Sequence, residues 1–437
     1  MRFSWSVLFC LLGCSVIGGS GSEARAQEAG RKLLTGQAAM GDWRSDAPGM
    51  RRRITIADLP PPNASRSASN SPRVVSRPRG AQLQVPAGFK IEQYAAGFRD
   101  PRVLRTAPNG DIFVTESRAD QIKVMRDKDG DGRPDQTELF TENGLKKPFG
   151  IAFYPPGPDP QYLYVANTDG VIRFPYRNGD LKARGPAEKL GVALSPGGLL
   201  RGGGHWTRDL VFSPDGKKMY VSVGSRSNNS DNAAEANRAR IFEFNPDGSG
   251  QKVYAWGIRN AVGIAIRPGS DELWMSTNER DDLGDNLVPD YISRVRAGGF
   301  YGWPWFYLGN HQDPRHKGKH PELASQSIVP DVLLQSHSAS LNLCSYDGKQ
   351  FPAEYRGDIF AAFHGSWNRA RPTGYKIVRV PLENGKARGD YEDFVTGFVT
   401  PDGNVWGRPV GLTVARDGSL LFSEDGNGTI WRVSAIR

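Results

Sequence analysis

Cysteine is nearly missing: three occur in 437 residues. Cys10 and Cys14 fall in the first apolar stretch, so Cys344 alone remains once a leader is removed, and an intrachain disulfide framework is excluded. Cys344 itself reads as a small buried hydrophobe. Long apolar runs are missing too. No segment approaches the roughly 18 consecutive apolar residues that a membrane helix needs. Histidine is scarce, at six, and His311, His316 and His320 share a Lys-rich loop that reads as solvated. Charge of one sign is missing from the main body. The formal net charge is +9, but residues 1–80 alone carry 12 Lys and Arg against five Asp and Glu. The remainder is close to neutral, which argues against a nucleic-acid partner.

What is present in excess is glycine, 52, and proline, 31. That load predicts many turns and therefore many short strands rather than long helices. At the N-terminus, Arg2, an apolar stretch from Trp5 to Ile17, and Ala24-Arg25-Ala26 predict a signal peptide over residues 1–26 and export to the periplasm. Anchoring as a lipoprotein at Cys14 is the alternative, and Leu12 is a poor residue for it. Residues 27–80, rich in Ser, Pro and Arg, read as a flexible lead or a strap, with a short edge strand at Ile54-Thr55-Ile56.

From residue 81 to 437 a weak repeat runs six times. Each copy has an apolar strand, a Gly turn and a second strand. The inner strands are Val103–Ala107, Gly150–Phe153, Asp209–Phe212, Gly263–Ile266, Leu341–Tyr346 and Gly411–Val414. Closing strands follow, such as Ile122–Met125 and Ile430–Val433. The prediction is an all-β, six-bladed β-propeller with four-stranded antiparallel blades. The spacing of the copies is uneven, and the excess sits in loops, where a propeller carries its chemistry.

Several loops carry chemistry-bearing residues. Gly202-Gly203-Gly204-His205-Trp206 leads into the third inner strand. His205 there is either a general base or a hydrogen-bonded turn residue. Gly257-Ile258-Arg259-Asn260 stands at the same place before the fourth inner strand and Arg408 before the sixth, with Arg226 after the third blade's second strand. Arginines offer planar forks to carboxylates, so several converging on one channel suit a polyanionic small molecule; blade-to-blade salt bridges are the plain alternative. Asn278 to Asn286, with Glu279, Asp281 and Asp285, suits a hard cation or is simply a solvated acidic loop. Asp127, Asp129, Asp131, Gly132, Arg133, Asp135 and Glu138 fall at positions 1, 3, 5, 6, 7, 9 and 12 of a calcium loop, here between strands.

Asn278-Glu279-Arg280-Asp281 with Gly284-Asp285, Gly299-Phe300-Tyr301-Gly302-Trp303-Pro304, and His364-Gly365-Ser366-Trp367-Asn368-Arg369 occur in this order. With them the chain resembles the soluble pyrroloquinoline quinone (PQQ)-dependent sugar dehydrogenases, in particular the L-sorbosone dehydrogenase-like and pyranose dehydrogenase-like branch, over about residues 82–437. The resemblance implies that His205 is the general base and that Arg259 and Asn260 meet the quinone's reactive edge. It implies that Arg408 pairs with PQQ carboxylates, with Arg226, His364 and Asn368 or Arg369 as further cofactor contacts. Calcium would be held by the loop of Glu279, Arg280, Asp281 and Asp285, through the Arg280 and Asp281 carbonyls. The expected substrate is a sugar or related alcohol or aldehyde, with a cytochrome or quinone as electron acceptor. The glucose-oxidising members have an Asp just before the base, where this chain has Gly204, so the group that orients His205 is not given by the resemblance. A calcium-dependent lactonase and a non-catalytic ligand-binding propeller are the alternatives; neither explains several arginines aimed at one channel.

Overall fold

A computed structural model describes residues 1, 32–194 and 204–436. The leader and Gly202-Gly203 lie outside the described residues. Residues Leu33–Arg437 form one compact unit.

Six antiparallel blades account for almost all strands. The first consists of Pro101–Thr106, Ile112–Glu116, Gln121–Arg126 and Gln136–Thr141; the others repeat this up-and-down order. The inner strands are Pro101–Thr106, Ile151–Tyr154, Leu210–Phe212, Ala261–Ile266, Ser340–Ser345 and Pro409–Val414, and each touches the next around a closed ring. The second strands are buried along their whole length in five of the six blades, for example Ile112–Glu116, Met219–Val223 and Ile359–Phe363. Neighbouring blades cover both faces of these strands, which is why they open on apolar runs rather than alternating ones.

The six copies therefore fall where the sequence placed them. What the repeat did not reveal is the closure. Phe89–Ala96 pairs antiparallel with Thr429–Ala435, so the last blade takes its outer strand from the front of the domain. This removes a free sheet edge at the only seam of the ring.

Residues 33–85 are a strap with a defined course. Leu33–Thr35 pairs parallel with Arg51–Arg53, which pairs antiparallel with Asp390–Val395 and extends blade five to six strands. The expected edge strand is thus at Arg51–Arg53 rather than at residues 54–56. Ile54 makes only a single bridge to Leu333, and a Thr55–Asp58 capping box turns the chain into a short 3-10 segment. Charge anchors the strap. The buried Arg52 pairs with Asp393 at 2.6 Å and Asp46 at 2.9 Å, and the buried Lys376 reaches the same two carboxylates at 2.8 Å. The strap then crosses the loops of blades four to six. Ser65 and Ser67 accept the Asp285 and Gly284 amides, Asn70 donates to the Trp367 carbonyl, and Val75 donates to Val405.

Candidate functional site

In every blade the inner strand begins, and the second strand ends, on the same rim, because the two are antiparallel. The loops flanking those points surround a funnel with a cavity of about 920 Å³. His205, Arg259, Asn260, Glu279, Asp281, His364 and Arg408, drawn from blades three to six, all line it. The segments before the inner strands and after the second strands are those in which the sequence showed chemistry, and the topology explains why they meet.

His205 is fixed by the backbone. Its Nδ1 lies 2.8 Å from the Ser225 carbonyl and 3.1 Å from Ser225 Oγ, whose own proton is committed to the Ser227 carbonyl at 2.6 Å. Nδ1 therefore carries the hydrogen and Nε2 the lone pair. Arg238 and Arg208 hold the His205 carbonyl at 2.6 and 3.0 Å. Burial, then the nearby Arg259, pushes the imidazole pKa down to about 3, so the ring is neutral. The orienting group that the sequence did not identify is thus the Ser225 carbonyl. Gly204 explains the missing acid: its φ is +79°, and a Cβ would lie 2.4 Å from Arg226 Cα. Gly224 is equally constrained, since a Cβ there would come within 2.2 Å of Asn260 Oδ1 and 2.8 Å of His205 Cβ.

Arg259 donates to Asp281 at 2.9 Å and to the Asn228 side chain at 3.0 Å. On its other oxygen Asp281 meets His337 Nδ1 at 3.2 Å, and His337 Nε2 reaches the Gly284 carbonyl at 3.0 Å. Both His337 nitrogens face acceptors, and the Asp281 hydrogen bond raises its pKa against the burial that opposes the charge. Against its own burial, Arg259 and His337 draw the Asp281 carboxyl downward. Burial pushes the neighbouring Asp290 up to about 7. Sequence reading missed His337. The signal was available: it precedes the fifth inner strand, as His205, Arg259 and Arg408 precede theirs.

Across the funnel, Arg408 donates to His364 Nδ1 at 2.9 Å, and His364 Nε2 lies 2.9 Å from both oxygens of Asp425. Burial, then Arg408, pushes His364 down to about 4, so a neutral ring passes its one hydrogen to Asp425. Arg102 binds Asp425 and lies over Phe149 and Trp206 at 5.6 and 5.5 Å. Arg102, Asp425 and Trp206 carried no signal in the sequence, because only the inner strands' meeting brings blades six, one and three together.

Other expected residues lie elsewhere. Arg226 borders a separate cleft of about 360 Å³ that shares His205 and Arg259 with the funnel. Asn368 accepts the Asp282 amide at 3.0 Å and donates to the Ala68 carbonyl at 2.6 Å, and Arg369 donates to the Met40 carbonyl at 2.7 Å. Both are buried and tie down the strap rather than facing the cavity. In the acidic loop the side chains have internal partners. Glu279 is spent on Arg280, Asp281 on Arg259 and His337, and Asp285 on the Ala370 amide. The Asp281 carbonyl accepts from both Asn228 and Arg315. The Arg280 side chain holds the Pro304 and Phe306 carbonyls and Asp313.

The hairpin of blade one keeps part of its calcium pattern. Asp127, Asp129 and Asp135 bring one oxygen each within 4.8 Å of the others. Asp131 accepts the Arg133 amide, and Glu138 sits inside the strand opposite Val124. This turn joins a blade's third and fourth strands, on the face opposite the funnel.

The funnel's donors suit a flat polyanion. Arg102, Arg118, Lys147 and Arg408 line one side. Arg102 Nε, Thr207 Oγ1 and Asn260 Oδ1 in the wall have no hydrogen-bond partner among the described residues.

The sequence matches the family described as TrAA12-like over residues 83–291 and 309–435. An uncharacterized protein of Borreliella burgdorferi is 28% identical over 80% of this chain and 90% of its own length. The pyrroloquinoline quinone-dependent pyranose dehydrogenase of Coprinopsis cinerea is 23% identical over 81% of this chain, which spans 55% of that enzyme. The solved holo PQQ domain of the Coprinopsis pyranose dehydrogenase superposes with a TM-score of 0.67 at 21% identity, covering 81% of this chain and 97% of that one.

Proposed function

The chain belongs to the TrAA12-like family, and on that premise we propose that it is a PQQ-dependent oxidoreductase that oxidises a hydroxyl or hydrated aldehyde of a sugar or related alcohol. One observation carries the reading: His205, Arg259, Asn260 and Arg408 converge on a single cavity from three blades. The likeness to the pyrroloquinoline quinone-dependent pyranose dehydrogenase supports it, and so do the unspent polar atoms of the wall.

Arg408, Arg102, Lys147 and Arg118 would hold the carboxylates of the cofactor, and Arg259 with Asn260 would face its reactive edge. When bound, PQQ supplies a two-electron acceptor for hydride. The protein's own work is proton handling and orientation. His205, locked as the Nδ1–H tautomer, offers Nε2 to the hydroxyl proton. Asp281 keeps the Arg259 fork directed while its other oxygen is held by His337. A calcium-dependent lactonase would need no redox cofactor, and the arginines around the funnel favour a carboxylated one. A structural calcium is also assigned to the hairpin of Asp127, Asp129 and Asp135, away from the funnel.

The test is to add PQQ to the purified protein and follow sugar-dependent reduction of an artificial dye. His205→Ala should lower turnover by about 10²- to 10⁴-fold while leaving PQQ binding intact. Full turnover by that variant would remove His205 from the reaction.

A further inference from the structure

Trp367 lies in the loop after the second strand of blade five, on the funnel rim, and lines the cavity. It is 44% exposed and the only exposed tryptophan among the described residues. Trp206, Trp256, Trp305, Trp406 and Trp431 each pack against another ring. Leaving an indole bare in water forgoes the burial that usually places tryptophan inside.

The loop that presents it is not loose. The Trp367 carbonyl accepts the Asn70 amide at 2.7 Å, and the Ser366 amide donates to Thr373 at 2.9 Å. Asn368 is held from both sides, by Asp282 and by Ala68. The backbone is pinned before and after a side chain that has no ring or cation against it among the described residues. Such a residue is displayed rather than merely left outside.

Two partners could cover a flat indole here, the cofactor or the substrate. Two of the cations suited to a polyanion are set deeper than the indole, Arg102 at 6% exposure and Arg408 against the half-buried His364, while Arg118 stands exposed on the rim. Trp367 is more exposed than Arg102 and Arg408, so a molecule arriving from solvent meets it before them. A pyranose ring has one apolar C–H face and a polar rim of hydroxyls. An indole can take the face, while the hydroxyl rim meets the ionic wall of the funnel.

We propose that Trp367 is the platform on which the sugar ring stacks, and that it selects cyclic substrates with an uninterrupted C–H face. The proposal rests on the sugar-oxidation reading above. It is tested on the full PQQ-loaded protein with D-glucose as the cyclic probe and sorbitol as its acyclic counterpart. Trp367→Ala should raise the KM for glucose about tenfold with kcat nearly unchanged, and should leave sorbitol kinetics alone. Trp367→Phe should restore most of the affinity. Because the side chain is exposed, the alanine variant should fold normally.

A second readout does not need turnover. Glucose should change the indole fluorescence of the wild-type chain, and the change should vanish in Trp367→Ala. If the wild type oxidises no sugar, the oxidation reading fails, and this titration still decides for or against the platform. An unchanged KM, or an unchanged glucose-dependent fluorescence signal in the alanine variant, overturns it.

Discussion

Two neutral histidines face each other across the funnel, and both owe their neutrality first to burial. Their pKa values fall from 6.5 in a solvated chain to about 3 for His205 and about 4 for His364. The unfolded chain therefore binds protons that the folded one refuses. These two groups leave stability intact above pH 6.5 and erode it as the pH falls towards 4. A melting series from pH 7.5 to 4.5 should show this loss, and His205→Gln should flatten part of the slope. An unaltered slope in the variant would mean that His205 is solvated. Gly224 gives a second prediction at this scale. Gly224→Ala drives a methyl into Asn260 and His205, so activity should fall sharply while the melting temperature changes by about 2–4 °C at most. Activity equal to wild type would show that the wall yields.

At the level of strands and loops, the strap and the hairpin are where the structure differs most from the sequence reading. The blade strands were legible because each is an apolar run bounded by Asn-Gly, Asp-Gly or Pro-Gly. The strap was not, because its pairing strand is Arg51-Arg52-Arg53. A triplet of arginines reads as surface, and its partners Asp390 and Asp393 lie more than 330 residues away. Removing Arg52 leaves two buried carboxylates sharing Lys376 alone. Arg52→Ala should destabilise the chain by about 3–5 kcal/mol and expose residues 33–85 to limited proteolysis. The hairpin differs in the other direction. Its spacing matched a helix-flanked loop, but a strand carries Glu138 away from the three aspartates. With fewer ligands, binding should be weak. Millimolar calcium should raise the melting temperature by about 2 °C, and Asp127→Asn should abolish that rise without altering dye-linked turnover. A calcium response that survives in the variant would relocate the ion.

For the molecule as a whole, the seam between Phe89–Ala96 and Thr429–Ala435 makes the ring a single cooperative object. A chain stopped before Thr429 should lose the sharp thermal transition that the intact ring shows, since both flanking blades then expose an apolar edge. A normal transition would mean that five complete blades suffice. The site was legible to the extent that its residues precede inner strands in the sequence. The arrangement of Asp425, Arg102 and His364 was not, because it exists only once the ring has closed.

The Ile436 amide donates to the Gly88 carbonyl at 2.8 Å, so the two ends of the propeller already touch. A short linker joining them would make the blades a circle without beginning. New termini could then be opened at the Asp247–Ser249 turn, on the side away from the cavity, giving a circularly permuted protein whose gene starts in a different blade.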